Sequence, residues 1–188
     1  MRLAVLCLAV AVAAPSFAQN SLLKGVSLRA GWFNGFEFDG VNPSRVRLKG
    51  YSLGADMTIS QQPWTGSKQS LSLTGVFAGR QQSGGDADAD VYRLLLVNRN
   101  RVKGAGVYII TGYGYAEARP RGGTDFAGKK DWVRQYGIGK MLSKFDTLSE
   151  LGGKYGDLAK GIAPFVEVSY IDGTRVFRGW QFELGFRF

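Results

Sequence analysis

The residue types that most often carry catalysis are scarce in this sequence. The 188-residue chain contains no His and a single Cys, Cys7, which lies in an apolar run near the N-terminus. A Ser nucleophile needs a neighbouring base to activate it, and His supplies that base in most hydrolases. Two carboxylates can act without His, so composition leaves a carboxylate-based mechanism open. The sequence predicts a protein that is not an enzyme.

One acidic stretch has the residue types that bind hard cations. Asp86, Asp88 and Asp90 alternate with small residues, and carboxylate oxygens are the ligands that Ca²⁺ prefers. The stretch departs from the EF-hand pattern, because Val91 stands where Gly is required and Val97 where the closing Glu is required. We therefore expect a solvated acidic loop, with no metal and no cofactor bound to the chain.

Charged residues recur on the polar side of segments in which apolar and polar residues alternate. They could form a gate or a proton relay, or they could be a polar core whose opposite charges pair. The pairing interpretation is favoured, since three cations stand with three carboxylates. The six residues are Arg29, Asp56, Arg93, Glu167, Glu183 and Arg187.

The segments that carry these residues are predicted to be β-strands. Successive side chains of a strand point to opposite faces, so strict alternation gives one apolar and one polar face. The alternation is less regular in 90–97, 105–116 and 132–142 than in the other segments. Turn-like connections rich in Gly, Pro, Asn and Asp separate eight segments: 26–32, 51–59, 71–77, 90–97, 105–116, 132–142, 166–170 and 180–188.

The hydropathy of the chain fits only one kind of membrane architecture. Mean hydropathy is −0.09, and the sequence has no apolar run of the ~20 residues that a spanning helix needs. A transmembrane barrel escapes such a search, because residues that face lipid alternate with residues that face the lumen. The 27 Gly residues are also typical of a tightly curved small barrel.

The last segment carries the most specific pattern. Trp180, Phe182, Leu184, Phe186 and Phe188 fall on one face of a strand that ends in Phe. This segment resembles the terminal strand of bacterial outer-membrane β-barrels, and the chain is similar to the small members of that family, of the OmpA membrane-domain and OmpX type. The resemblance implies an all-β fold, an eight-stranded antiparallel up-and-down transmembrane β-barrel in the cell outer membrane. It also implies that Trp180, Phe182, Phe186 and Phe188 are read by the barrel-assembly machinery.

A barrel of eight strands has an interior that side chains fill, so the charged residues are expected to pair there. Closure makes the first and last strands neighbours, which predicts a contact between Arg29 and Glu183. Most Trp and Tyr residues lie near predicted strand ends, where a girdle at the membrane–water boundary would place them.

The N-terminus has the features of an export signal. Met1 and Arg2 precede the apolar run from Leu3 to Ala14, and small residues at Ser16 and Ala18 mark a cleavage site. We predict a signal peptide at 1–18 and one barrel domain at 19–188. Cys7 would be removed with the signal peptide, so no disulfide is expected.

Two features concern the ends of the barrel. The connection from Ser143 to Gly161 is long, and its apolar residues recur at helical spacing; either it carries a short helix or the strand count is off by a pair.

Phosphorylated lipopolysaccharide head groups are the expected partners of the basic residues on the outward side, and nucleic acid is not expected. Those residues are Arg45, Arg47, Lys49, Arg119, Arg121, Lys129 and Lys130.

Three functions remain open from the sequence. The first is a monomeric, non-enzymatic barrel with a structural or surface-interaction role. The second is a narrow channel, which differs from the first in having a water path through the lumen. The third is a soluble exported barrel of lipocalin type, which would turn its aromatic face inward around an apolar ligand.

Overall fold

The described part of the chain consists almost entirely of β-strands. The computed structural model describes residues 25–35, 49–64, 67–82, 88–102, 104–121, 129–142, 163–173 and 177–187. These residues form β1 Val26–Gly35, β2 Lys49–Trp64, β3 Ser67–Gln82, β4 Asp88–Arg101, β5 Val107–Arg121, β6 Lys129–Met141, β7 Ala163–Asp172 and β8 Gly179–Arg187.

Each strand pairs antiparallel with the next, and β8 pairs with β1 to close the barrel. In that closing pair Gly31 lies opposite Glu183, and Arg29 lies opposite Gly185. The predicted eight-stranded up-and-down barrel is therefore confirmed, and the alternative strand count is wrong. The predicted helix at 143–161 and the signal peptide at 1–18 lie outside the described residues.

Two predicted turns are shorter than expected. The predicted segments 90–97 and 105–116 imply a turn from Asn98 to Lys103 between them, but β4 continues to Arg101. The predicted segments 51–59 and 71–77 imply another turn from Gln61 to Lys68, yet β2 and β3 leave only two residues between them. Polar residues do not end a strand whose backbone groups remain paired, and Arg99 is still opposite Ile110 of β5.

The outer wall of the barrel is apolar. Met57 and Ile138 are 56% and 62% exposed, and Leu94, Leu96 and Ile109 share this outward orientation. Arg29, Asp56 and Glu167 are buried on the opposite face of their strands. A water-soluble protein has the reverse arrangement, because burial of apolar surface drives its folding. Apolar residues outside and charged residues inside are the pattern of a transmembrane β-barrel.

The two ends of the lumen differ in polarity. Because neighbouring strands are antiparallel, the C-terminal ends of β1, β3, β5 and β7 meet the N-terminal ends of β2, β4, β6 and β8. We call this the loop end, and the other the turn end. A group of buried apolar side chains, here called the apolar cap, fills the lumen towards the loop end: Phe33, Val91, Ala116, Val133, Ile171 and Phe177.

Candidate functional site: the charged lumen

The charged side chains of the lumen come from strands distant in sequence. Arg29 is on β1, Asp56 on β2, Glu167 on β7 and Glu183 on β8. Each is 2–6% exposed and is flanked by neighbours that point to the outer wall. Alternation gives each side chain its inward direction, and closure of β1 against β8 brings the ends of the chain together.

Arg29 is bonded to three carboxylates. Its Nη1 donates to Glu167 Oε2 at 3.0 Å and to Glu183 Oε2 at 2.9 Å. Its Nη2 donates to Asp56 Oδ2. The predicted neighbours Arg29 and Glu183 thus meet across the closing strand pair.

A second arginine, which sequence reasoning missed, completes this group. Arg99 Nε donates to Glu167 Oε1 at 2.7 Å, and its Nη2 lies 3.1 Å from Asp56 Oδ2. The hydroxyl of Tyr108 donates to Glu167 Oε1 at 2.8 Å. We call the set the central cluster: Arg29, Asp56, Arg99, Tyr108, Glu167 and Glu183.

Glycines on neighbouring strands make room for the central cluster. A Cβ at Gly139 would clash with the ring of Tyr108, so the lack of a side chain there lets this ring lie against β6. A Cβ at Gly185 would likewise clash with the ring of Phe165. The Phe165 ring in turn lies 5.3 Å from the guanidinium carbon of Arg29, within the range of a cation–π contact. These close approaches fix the two aromatic rings on which the cluster rests.

Arg93 lies closer to the loop end and has different neighbours. It is 4% exposed, and its Nη1 donates to Gln181 Oε1 at 2.7 Å. The Phe33 ring covers the guanidinium, with 5.2 Å between the ring centroid and the guanidinium carbon. Between β6 and β7, Gln135 Nε2 donates to Ser169 Oγ at 2.9 Å. Among the described residues, Arg93 is therefore hydrogen-bonded to a neutral amide and not to a carboxylate.

Arg187 is the last of the predicted interior residues. It follows the charged residues of β8 towards the turn end and is only partly buried. Its Nε lies 3.4 Å from Ser27 Oγ, which is a long hydrogen bond. Arg187 therefore lines the mouth of the lumen and stands apart from the carboxylates.

The six predicted interior residues all face the lumen, but they do not form one network. Arg29, Asp56, Glu167 and Glu183 belong to the central cluster, while Arg93 and Arg187 lie on either side of it along the barrel axis. Arg99 and Tyr108 were missed, although each shares the phase of its inward neighbours on β4 and β5. Among residues predicted as an assembly signal, Trp180 and Phe182 are 43% and 49% exposed on the outer wall. Phe186 is half-buried, and Phe188 lies outside the described residues.

The central cluster offers little free chemistry. All three of its carboxylates accept hydrogen bonds from guanidinium groups. Among the described residues, no group of three or more His, Cys, Asp or Glu is placed to hold a metal ion. The arrangement can hold strands together and exclude water from the lumen.

Aromatic side chains form a girdle on the outer wall near the loop end. Tyr113 stacks on Trp132 with 5.2 Å between ring centroids, and Tyr170 meets Trp180 edge-on at 5.4 Å. Trp32 lies opposite Tyr51 on the neighbouring strand. Beyond the girdle, charged residues form the rim.

The rim contains exposed ion pairs between the ends of β4, β5 and β6. Arg119 Nε donates to Glu117 Oε1 at 2.9 Å, and Lys130 Nζ lies 3.8 Å from the same oxygen. Arg121 Nε donates to Asp90 Oδ2 at 2.8 Å. Asp90, which the sequence placed in an acidic loop, is thus a member of β4 with a cationic partner.

Comparisons with known proteins give similarity of structure only. No family model and no curated protein sequence matches this chain. The crystal structure of Ail, the attachment invasion locus protein of Yersinia pestis, is similar at 16% identity with a TM-score of 0.42, over 88% of this chain and 99% of that one. A loop-deletion mutant of OmpT, an outer-membrane protein of Vibrio cholerae, is similar at 13% identity with a TM-score of 0.29, over 87% of this chain and 49% of that one.

The fold is assigned from the geometry of the barrel. The described residues include no helix long and apolar enough to cross a membrane. Eight antiparallel strands close into a barrel with an apolar outer wall, an aromatic girdle and a charged, filled lumen. This chain has the architecture of the small outer-membrane β-barrel proteins.

Proposed function

We propose that this protein is a non-enzymatic barrel of the bacterial outer membrane, with a structural or surface-interaction role. The observation that carries the proposal is the filled lumen. The central cluster joins β1, β2, β4, β7 and β8 by charge-assisted hydrogen bonds, and the apolar cap lies between it and the loop end. Such a lumen supports a rigid wall that holds the loops in place.

The apolar outer wall supports the outer membrane as the location. A soluble lipocalin-type barrel would need a polar exterior and an apolar interior, which is the reverse of what Met57, Ile138 and Glu167 show. Export by a signal peptide at 1–18 is part of the proposal. Cell fractionation tests it: we expect the protein in the outer-membrane fraction after a urea wash, with a gel mobility that changes on boiling. Recovery in the soluble periplasm would contradict it.

The channel alternative is tested by conductance. We expect no stable unitary current from the wild-type protein in a planar bilayer, because charged pairs and the apolar cap fill the lumen. The conductance of a Phe33→Ala variant is compared with that of the wild-type protein, because this change removes the Phe ring that β1 contributes to the apolar cap. Reproducible currents from the wild-type protein would overturn the closed-lumen proposal.

The absence of catalysis is part of the proposal. Each carboxylate of the central cluster accepts a hydrogen bond from a guanidinium and is buried, so a substrate is not expected to reach it as a general base (Asp56, Glu167 and Glu183). Hydrolysis of peptide or ester substrates by the purified protein, lost on substitution of a carboxylate but retained in a rim variant such as Glu117→Gln, would contradict it.

Phosphorylated lipopolysaccharide head groups are the proposed partners of the rim. The exposed cations lie beyond the aromatic girdle, where head groups of the outer leaflet would stand. Two further predicted cations, Arg45 and Arg47, lie outside the described residues. The cations that the structure places at this end are Lys49, Arg119, Arg121, Lys129 and Lys130.

The barrel-assembly machinery is the other proposed partner. Trp180 and Phe182 of β8 remain exposed after closure, so they stay accessible as part of a recognition pattern. We expect a Phe188→Ala variant to accumulate in the periplasm and be degraded in cells, yet to refold nearly normally from urea into detergent micelles. Burial of one Phe contributes ~1.5–3 kcal/mol at most, which a complete barrel can lose. Wild-type insertion of this variant in cells would contradict the recognition role.

A further inference from the structure

Arg93 is a buried cation that forms no ion pair within 4.0 Å among the residues that the structure describes. Its Nε and Nη2 have no hydrogen-bond partner among the described residues, and only Nη1 is bonded, to the amide oxygen of Gln181. A guanidinium has five N–H donors in one plane and keeps its charge at any physiological pH. Most of the hydrogen-bonding capacity of this side chain is therefore unused.

The carboxylates of the central cluster form their ion pairs with Arg29 and Arg99. Glu183 Oε2 accepts from Arg29 at 2.9 Å, and Glu167 accepts from both Arg29 and Arg99. Within the described part of the chain, no ion pair joins Arg93 to a carboxylate at 4.0 Å or less. A buried charge without a counter-ion carries a large desolvation penalty.

The surroundings of Arg93 restrict what a counter-ion can be. The Phe33 ring covers one face of the guanidinium, so a ligand must approach in the plane of the free N–H groups. The apolar cap, to which Phe33 and Val91 belong, lies between this position and the loop end. Apolar walls and one charged donor group favour a small monovalent anion over a large, strongly hydrated one.

The geometry points to a binding site for a small inorganic anion, of the chloride type, at Arg93 in the lumen. The anion accepts from Nε and Nη2 and neutralises the guanidinium, while Gln181 holds Nη1 and Phe33 fixes the plane. The proposed function describes the lumen only as filled with side chains, and the anion site adds a ligand to it. If the anion site is disproved, the proposed function is unaffected.

Thermal unfolding at fixed ionic strength tests the site. Protein folded in uncharged detergent micelles is heated in mixtures of sodium chloride and sodium gluconate, and the folded fraction is read from gel mobility before boiling. We expect the midpoint to rise with chloride by on the order of a few degrees for each tenfold increase above the dissociation constant. Gluconate is too large for the site, so it serves as the ionic-strength control.

Two variants separate a specific site from a general salt effect. Arg93→Met should lose the chloride-dependent rise, whereas Arg119→Met, which changes an exposed rim arginine, should keep it. Equal midpoints of the wild-type protein in the two salts would overturn the proposal even if Arg93→Met failed to fold. A chloride-dependent rise that persists in Arg93→Met would overturn it as well, because the anion would then bind elsewhere.

Bromide gives an independent localisation. Crystals of the wild-type protein grown in bromide should show an anomalous peak within hydrogen-bonding distance of Arg93 Nε or Nη2. Data that show bromide only at the rim or on the outer wall would contradict the assignment.

Discussion

Arg29 and Arg93 are buried in the same lumen, but different groups surround and bind their guanidinium charges. Both are almost fully buried, and each guanidinium faces a Phe ring at 5.2–5.3 Å. Arg29 is bonded to three carboxylates, whereas the one hydrogen bond of Arg93 goes to a neutral amide. The residue type and the burial are the same in both cases. The difference in hydrogen-bond partners therefore comes from the side chains that the closed barrel places beside each guanidinium.

The comparison shows that the lumen is not one network. In the central cluster the carboxylates outnumber the cations, because Asp56, Glu167 and Glu183 face Arg29 and Arg99. Arg93 stands closer to the loop end and Arg187 closer to the turn end, so positive charge flanks a negative centre. Substitutions in the two regions are therefore expected to have unequal effects.

The largest effect is expected from Arg29→Met. This change leaves three buried carboxylates with Arg99 as their main partner, and breaking a buried ion pair from one side costs ~3–5 kcal/mol. Urea unfolding in micelles, followed by Trp fluorescence, measures the free energy of unfolding. Arg119→Met is the matched control and should change it by less than ~0.5 kcal/mol. Equal losses in the two variants would show that the cluster does not stabilise the barrel.

A smaller effect is expected from Tyr108→Phe. The change removes the hydrogen bond from the Tyr108 hydroxyl to Glu167 while the ring still packs against Gly139. Hydrogen bonds to charged groups contribute ~1.5–3 kcal/mol, and Arg99 and Arg29 remain bonded to Glu167. The same unfolding measurement applies, with Tyr113→Phe on the outer wall as control. A loss as large as that of Arg29→Met would mean that the ring has moved.

Arg93→Met sharpens the contrast with Arg29→Met. In chloride-free buffer we expect a change of less than ~1 kcal/mol, or even a gain in stability, since an uncompensated buried charge is replaced by an apolar side chain. The measurement is urea unfolding in gluconate buffer. A loss of ~3 kcal/mol or more would place Arg93 inside the cluster energetically and remove the distinction between the two regions.

The smallest effect is expected at the rim. Glu117→Gln removes the carboxylate that Arg119 and Lys130 share, and exposed ion pairs contribute ~0–1 kcal/mol. The difference from the wild-type protein should shrink further in ~1 M salt, because salt screens surface charges. A salt-independent loss would indicate that this pair is shielded from solvent.

Much of the charged lumen could be predicted from alternation alone. The alternation shows on which face of its strand a side chain lies, which is why Arg29, Asp56 and Glu183 were placed inside the barrel. The sequence Asn98-Arg99-Asn100-Arg101 was interpreted as a turn because it is polar, although Arg99 keeps the phase of Arg93. Arg99 is buried in the lumen, where a polar side chain does not mark the end of a strand.

What alternation cannot give is the height of a residue along the barrel. Whether Arg93 or Arg99 reaches Glu167 depends on the register of every strand pair from β4 to β7. A register can shift within one pair, as it does between Leu53 and Gly54 in the pair of β2 and β3. One shifted residue moves a charge to another layer. The missing partner of Arg93 could therefore be recognised only from the closed barrel.

The sequence separation within the central cluster has a consequence for biogenesis. Arg29 lies on the first strand, and its partners Glu167 and Glu183 are 138 and 154 residues later in the chain. During folding Arg29 remains without these two partners until the last two strands have joined the barrel, and contacts of such long range are slow to form. A chain truncated before β7 would lack two of the three anions and would keep Arg29 in water. The cluster thus couples the arrival of the final strands to dehydration of the lumen, so that only a full-length chain can complete the barrel.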